Sequence, residues 1–245
     1  MLDLSGNDIR LTNFVNLLPN SLYFLDLYNN SIETLDLSER SNKLFALNLN
    51  NNRFYSIRDR VAWKSGLSVV DLKDLQYLSV SENQINNIEP NAFQDNNELI
   101  FLNLSSNYIN YLHPNTFSNL QYLKTLDLSN NKLKQILQMP KLTKLLMGKN
   151  QIDEIDVDAF ASFSILEELD LSTNMLSSLP EGWAESLVSL KYLDLSNNKF
   201  TSLESLSLTS ALPITEIYLM MNPLKYLNVR YFEDLPQNLT IHLMN

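Results

Sequence analysis

The chain is 245 residues long, with 28 acidic against 18 basic side chains and a formal net charge of -10. Such acidity argues against a general nucleic-acid binder, which needs basic surface to neutralise phosphates. Cysteine is absent, histidine is limited to His113 and His242, and there are four glycines. This excludes disulfides, thiolate metal sites and cysteine nucleophiles, and leaves little for histidine triads, histidine metal centres or phosphate-cradling loops.

Hydrophobic residues make up 44% of the chain, enough to bury a sizeable core, and they recur in order. A truncated copy at 2–9 is followed by copies at 22–32, 44–54, 75–85, 99–109, 123–133, 142–152, 166–176, 190–200 and 214–224. The clearest read LIFLNLSSNYI, LKTLDLSNNKL, LEELDLSTNML and LKYLDLSNNKF, all L-x-x-L-x-L-x-x-N-x-L. Asn7, Asn30, Asn52, Asn83, Asn107, Asn131, Asn150, Asn174, Asn198 and Asn222 mark the copies at a mean spacing of about 24 residues.

The pattern has a direct physical reading. In x-L-x-L, successive side chains point to opposite faces, so Leu102 and Leu104 turn inward while Phe101, Asn103 and Ser105 turn out. The chain then bends sharply, and a buried asparagine satisfies backbone groups that the bend leaves unpaired. Stacked repeats therefore build an asparagine ladder from Asn30, Asn52, Asn83, Asn107, Asn131, Asn150, Asn174, Asn198 and Asn222. Beyond each bend, Phe93, Phe117, Phe160, Trp183 and Phe232 recur, with Pro90, Pro114 and Pro180 ahead of three of them. They are expected to fill a spine under irregular or short helical segments.

The motif is the leucine-rich-repeat signature, and its period resembles the typical 24-residue subclass, which includes Toll-like receptor ectodomains and insect secreted leucine-rich immune proteins. The resemblance covers nearly the whole chain. It implies an α/β repeat solenoid, a horseshoe with a parallel concave sheet, as one domain of about ten repeats over 1–245. The cysteine-rich end caps usual in the family are missing. No charged and apolar leader precedes the first repeat, and no run of about 18 apolar residues suggests a membrane span. An uncapped solenoid exposes leucines, so the chain is expected to be a fragment or to be capped in another way.

Two intervals break the period. Asn52 to Asn83 is 31 residues and holds Arg53, Arg58, Arg60, Lys64 and Lys73 around Trp63, with a turn at Gly66. It reads either as a partner-touching loop or as a longer convex helix packing Val61 and Trp63. Asn131 to Asn150 is 19 residues and carries Lys132, Lys134, Lys141, Lys144 and Lys149 without an acid between them. That run is either a docking patch for an acidic partner or a solvated charge run, and Lys144 and Lys149 are expected on the concave face.

Repeat phase places Phe24, Tyr28, Tyr77 and Phe101 on the outward face toward one end, and Tyr192 and Tyr218 toward the other. Exposed aromatics on a rigid sheet are good interface anchors, although tyrosine and phenylalanine also favour strands. Asp127, Asp170 and Asp194 form an acidic row that could attract a basic ligand or a hard cation, or simply serve the scaffold. Asn29, Asn103 and Asn238 head N-x-S/T sequons and are candidate glycosylation sites.

The expected function is non-catalytic: a protein-recognition module that binds a protein or other macromolecular ligand through its concave face. The resemblance points to an extracellular or secreted place in innate immunity or receptor recognition. The alternative is an intracellular adaptor or scaffold. An enzyme would need an enclosed carboxylate pair such as Asp170 and Asp194. No cofactor, no metal and no nucleic acid are expected. A homo- or hetero-oligomer, paired through edges or terminal repeats, remains open.

Overall fold

The computed structural model describes residues 1–37, 43–59, 66–136, 139 and 142–244. The chain divides into two compact units, Met1–Asp127 and Leu128–Asn245.

Among the described residues the first unit carries ten short strands: β1 Leu2–Asp3, β2 Phe24–Asp26, β3 Thr34–Asp36, β4 Ala46–Asn48, β5 Ser56–Arg58, β6 Gly66–Ser68, β7 Tyr77–Ser79, β8 Asn87–Ile88, β9 Phe101–Asn103 and β10 Thr125–Asp127. Six of them run parallel in the order β1-β2-β4-β7-β9-β10. Their register aligns Leu25, Leu47, Leu78, Leu102 and Leu126, none more than 2% exposed. Each of these leucines contributes about 1.5–3 kcal/mol by burial, and only a neighbouring repeat makes that burial possible.

The second unit repeats the arrangement with β11 Lys144–Leu146, β12 Glu168–Asp170, β13 Tyr192–Asp194, β14 Glu216–Tyr218 and β15 Thr240–His242, all parallel. Leu145, Leu169, Leu193 and Ile217 form the buried row.

The bend after each strand has a fixed geometry. The residue before the ladder asparagine is left-handed in every repeat. In the first unit it is Gly6, Asn29, Asn51, Glu82 or Ser106, and in the second Asn130, Lys149, Thr173, Asn197 or Met221. The asparagine then ties two repeats together. In the first unit Asn30, Asn52, Asn83 and Asn107 accept through Oδ1 from the N–H groups of Ile9, Ile32, Phe54 and Ile85. In the second, Asn150, Asn174, Asn198 and Asn222 accept from Leu133, Ile152, Leu176 and Phe200. Each Nδ2 donates to carbonyls of its own repeat and the preceding one, as Asn174 does to Leu171 and Met147, both at 3.0 Å. Asn131 donates to Leu128 and Ser129.

The side opposite the main sheet departs from expectation in the first unit. There β3, β6, β5 and β8 form a second parallel sheet rather than irregular or helical segments. Within the long interval, β6 slots between β3 and β5 and is fully buried. A Cβ at Gly66 would lie 2.5 Å from Ser56 Oγ, so the glycine is what lets the two strands close up. Arg58 braces this sheet, 3.3 Å from Glu89. Arg60, Val61, Trp63 and Lys64 fall outside the described residues, as does Lys141.

The aromatic spine is present where turns replace strands. Phe93 stacks on Phe117 with centroids 6.0 Å apart. In the second unit Phe160 meets Phe163 and Trp183 edge-on, and Trp183 Nε1 donates to the Leu206 carbonyl at 3.0 Å. Phe232 does not join this spine. It lies in the 3-10 helix Val229–Asp234 and is 42% exposed, while Leu235 turns inward in its place.

Candidate recognition surface

The outer face of the first unit's main sheet is built by strand alternation. Phe24, Tyr77 and Phe101 stand in one column at the first position of β2, β7 and β9. Ala46 separates Phe24 from Tyr77, whereas Tyr77 and Phe101 are neighbours with ring centroids 6.4 Å apart. Tyr28 follows β2 and, like Tyr77, is 42% exposed.

Sequence phase missed Phe45, which lies one residue before β4 and packs 5.3 Å from Tyr77. It is 40% exposed. The signal was available: Tyr23, Phe45, Gln76 and Ile100 share that pre-strand position, and two of the four are aromatic.

Beside the aromatics the first unit's face is polar. Asn50 Oδ1 accepts from Ser79 Oγ and the Ser81 N–H, both at 2.7 Å. Asn103 Oδ1 accepts from the Ser105 N–H at 2.9 Å. Asn103 is therefore half-buried and engaged on the sheet, while Asn29 and Asn238 are exposed.

The second unit's face carries a different chemistry. Lys144 pairs with Glu168 on the next strand at 2.7 Å. Lys149 does not stand on the strand face. It occupies the exposed left-handed bend beyond Gly148, because the strand ends at Leu146. Lys132 and Lys134 are exposed, so the described lysines of the short interval are spread over several surfaces.

The aspartates of this face hold the bend. Asp170 Oδ1 accepts from the Ser172 N–H and Asp194 Oδ1 from the Ser196 N–H, both at 2.8 Å. Asp26 does the same for Tyr28 in the first unit. Among the described residues no three His, Asp or Glu side chains are grouped to hold a metal ion.

Tyr192 and Tyr218 come together with Glu168, Asp170 and Asp194 around a cavity of about 290 Å³ on the sheet face. The Tyr218 hydroxyl donates to Glu216 Oε2 at 2.6 Å. That bond, then burial and the nearby negative charges, raise the Tyr218 phenol above its usual range. His242 stacks on Tyr218 with centroids 4.3 Å apart and planes 6° from parallel, and its Nε2 lies 3.6 Å from Glu216. His242 was hidden in the sequence by the degenerate last strand, although it falls 24 residues after Tyr218.

These two units share one construction, and comparison with known proteins assigns it. The chain belongs to the leucine-rich-repeat family, whose model matches residues 67–109, 102–138 and 140–200, together more than half of the chain. Domains of this family are protein-interaction modules and are generally non-catalytic.

Among solved structures, the octameric complex of Latrophilin 3, Unc5D and the leucine-rich-repeat protein FLRT2 contains a chain 29% identical. Its TM-score is 0.62, over 75% of this chain and 63% of that one. The APL1 leucine-rich-repeat domain is 23% identical with a TM-score of 0.69, over 95% of this chain and 56% of that one. TLR13, in a complex with ssRNA13, is 23% identical with a TM-score of 0.63, over 84% and 36%. The last two are alike in fold. The chain spans less than two thirds of each of these structures' chains. A search of curated proteins finds no match. Among the described residues no helix is long and apolar enough to cross a membrane.

Proposed function

We propose that the chain is a non-catalytic recognition module that captures a protein ligand on the outer face of its main-sheet strands, in extracellular innate-immune or receptor recognition. The carrying observation is the set of aromatics on or beside rigid strands, with Tyr77, Phe45 and Tyr192 exposed: Tyr77 with Phe45 and Phe101 in the first unit, and Tyr192 beside Tyr218 in the second. Aromatic anchors on a preorganised surface lose little conformational freedom on binding. The extracellular placement is supported by likeness to FLRT2, APL1 and TLR13, and by two exposed sequons, Asn29 and Asn238. The acidic balance favours a protein over a nucleic-acid ligand.

The test is selection from a yeast-displayed library of extracellular ectodomains. Surface plasmon resonance of the purified hits then compares the chain with Tyr77→Ala, Tyr192→Ala and two turn-side controls, Tyr122→Ala and Val188→Ala. A sheet-face ligand loses about tenfold or more in affinity with one sheet variant and little with the controls. Hits that respond to the controls alone contradict the reading.

A further inference from the structure

We propose that the niche between Tyr192 and Tyr218 on the second unit's sheet face receives an arginine side chain from a basic segment of the protein ligand. This rests on the sheet-face reading above and names the chemistry of the partner.

Four observations carry it. The walls are two tyrosine rings, one of them locked from behind: Tyr218 is fixed by its hydroxyl bond to Glu216 and by the stacked His242. A fixed aromatic wall suits the flat face of a guanidinium. The cavity, about 290 Å³, is side-chain sized rather than a large ligand pocket. Its charged lining is entirely carboxylate, from Glu168, Asp170 and Asp194. On this face Lys144 is already drawn to Glu168 at 2.7 Å. Among the described residues no ammonium or guanidinium stands within ion-pair distance of Asp194.

The carboxylates are aimed by the scaffold. Asp194 spends Oδ1 on the Ser196 N–H, a bond that fixes the side chain where it lines the cavity and leaves Oδ2 outside that bond. A forked guanidinium satisfies such an oxygen while stacking on tyrosine. An ammonium offers no plane to stack, so arginine is favoured over lysine. The first unit provides the contrast. There the same column reads Asp3, Asp26, Asn48, Ser79, Asn103 and Asp127, and beside the Tyr77 and Phe101 rings it carries Ser79 and Asn103, which have no charge.

The experiment uses the full chain and a probe peptide, acetyl-Gly-Gly-Arg-Gly-Gly-amide, titrated by NMR and calorimetry. The comparison peptide replaces arginine by citrulline, which keeps the shape and removes the charge. Asp194→Asn is a clean variant, because asparagine already holds this bend at Asn48 and Asn103. Tyr192→Ala removes one wall, Tyr192→Phe restores it, and Tyr77→Ala controls for the other unit.

The arginine peptide is expected to bind about tenfold tighter than the citrulline one, and more weakly as salt rises. Asp194→Asn and Tyr192→Ala each reduce binding several-fold, Tyr192→Phe keeps it, and Tyr77→Ala leaves it unchanged. Equal binding of the two peptides, indifference to Asp194→Asn, or preference of the site for calcium ions overturns the proposal. An ectodomain hit that responds to Tyr192→Ala yet has no arginine at the contact also overturns it and leaves the sheet-face reading standing. Hits that respond only to turn-side variants remove both.

Discussion

Asn174 Oδ1 lies 3.1 Å from the backbone nitrogen of Ile152, a residue one repeat earlier in the chain. The same asparagine donates through Nδ2 to Met147, Leu171 and Ser172. One side chain thus closes the bend of its own repeat and fastens it to the one before. Replacing Asn174 by alanine leaves a buried N–H and several carbonyls with weakened partners, and is expected to cost about 3 kcal/mol. Urea unfolding checks this, with Lys199→Ala, exposed, next in sequence to the ladder residue Asn198 and outside the left-handed bend, as the near-neutral control.

Gly66 makes a second test of close packing. Its Cβ, if present, would sit 2.5 Å from Ser56 Oγ and 3.0 Å from the Ser56 carbonyl, at a φ of +140°. Gly66→Ala forces β5 and β6 apart inside a buried sheet and is expected to destabilise by about 2–4 kcal/mol. The loss should appear as a lower melting temperature with the repeat signature in circular dichroism retained.

Thr173 predicts a gain. It holds φ +54° at the left-handed bend, where a β-branched residue is strained. Asn29, Asn51, Asn130 and Asn197 occupy the equivalent bend in other repeats. Thr173→Asn is expected to stabilise by about 0.5–1 kcal/mol, although Thr173 Oγ1 gives up its 3.2 Å bond from Asn197. Differential scanning calorimetry reads the rise in melting temperature.

Tyr218 predicts a pH dependence. Its bond to Glu216 needs the phenol protonated, and its pKa is raised in the folded chain. The stabilisation is therefore complete at neutral pH and is lost as pH rises through the folded value. In a tyrosinate absorbance titration, Tyr218→Phe removes one late-titrating phenol. Its stability deficit relative to the unaltered chain closes in alkali. Tyr231, raised chiefly by burial, titrates late in both proteins.

The repeat made most of the fold legible. Leucine phase set the inward rows, and the asparagine spacing located each bend. The left-handed residue before the asparagine was not legible, because Glu82, Lys149, Thr173 and Met221 are poor formers of that conformation and are held there by the ladder. The second sheet was missed for a similar reason. Ser56–Arg58 and Gly66–Ser68 carry no strong strand pattern, and neighbouring strands impose it. At the candidate surface, phase assigned Tyr77, Phe101, Tyr192 and Tyr218 to strands, and they lie in β7, β9, β13 and β14. It could not show that Phe45 folds against Tyr77 or that His242 stacks on Tyr218, since both contacts cross between repeats.

Hydroxyl-radical footprinting of the chain bound to an ectodomain ligand tests the central claim most directly, because it reads the exposure of each tyrosine in one experiment. The sheet-face account predicts protection of Tyr77 or Tyr192 on binding, with Tyr111 and Tyr122 on the turn side oxidised as before. Protection of Tyr111 and Tyr122 with Tyr77 and Tyr192 unchanged would contradict it.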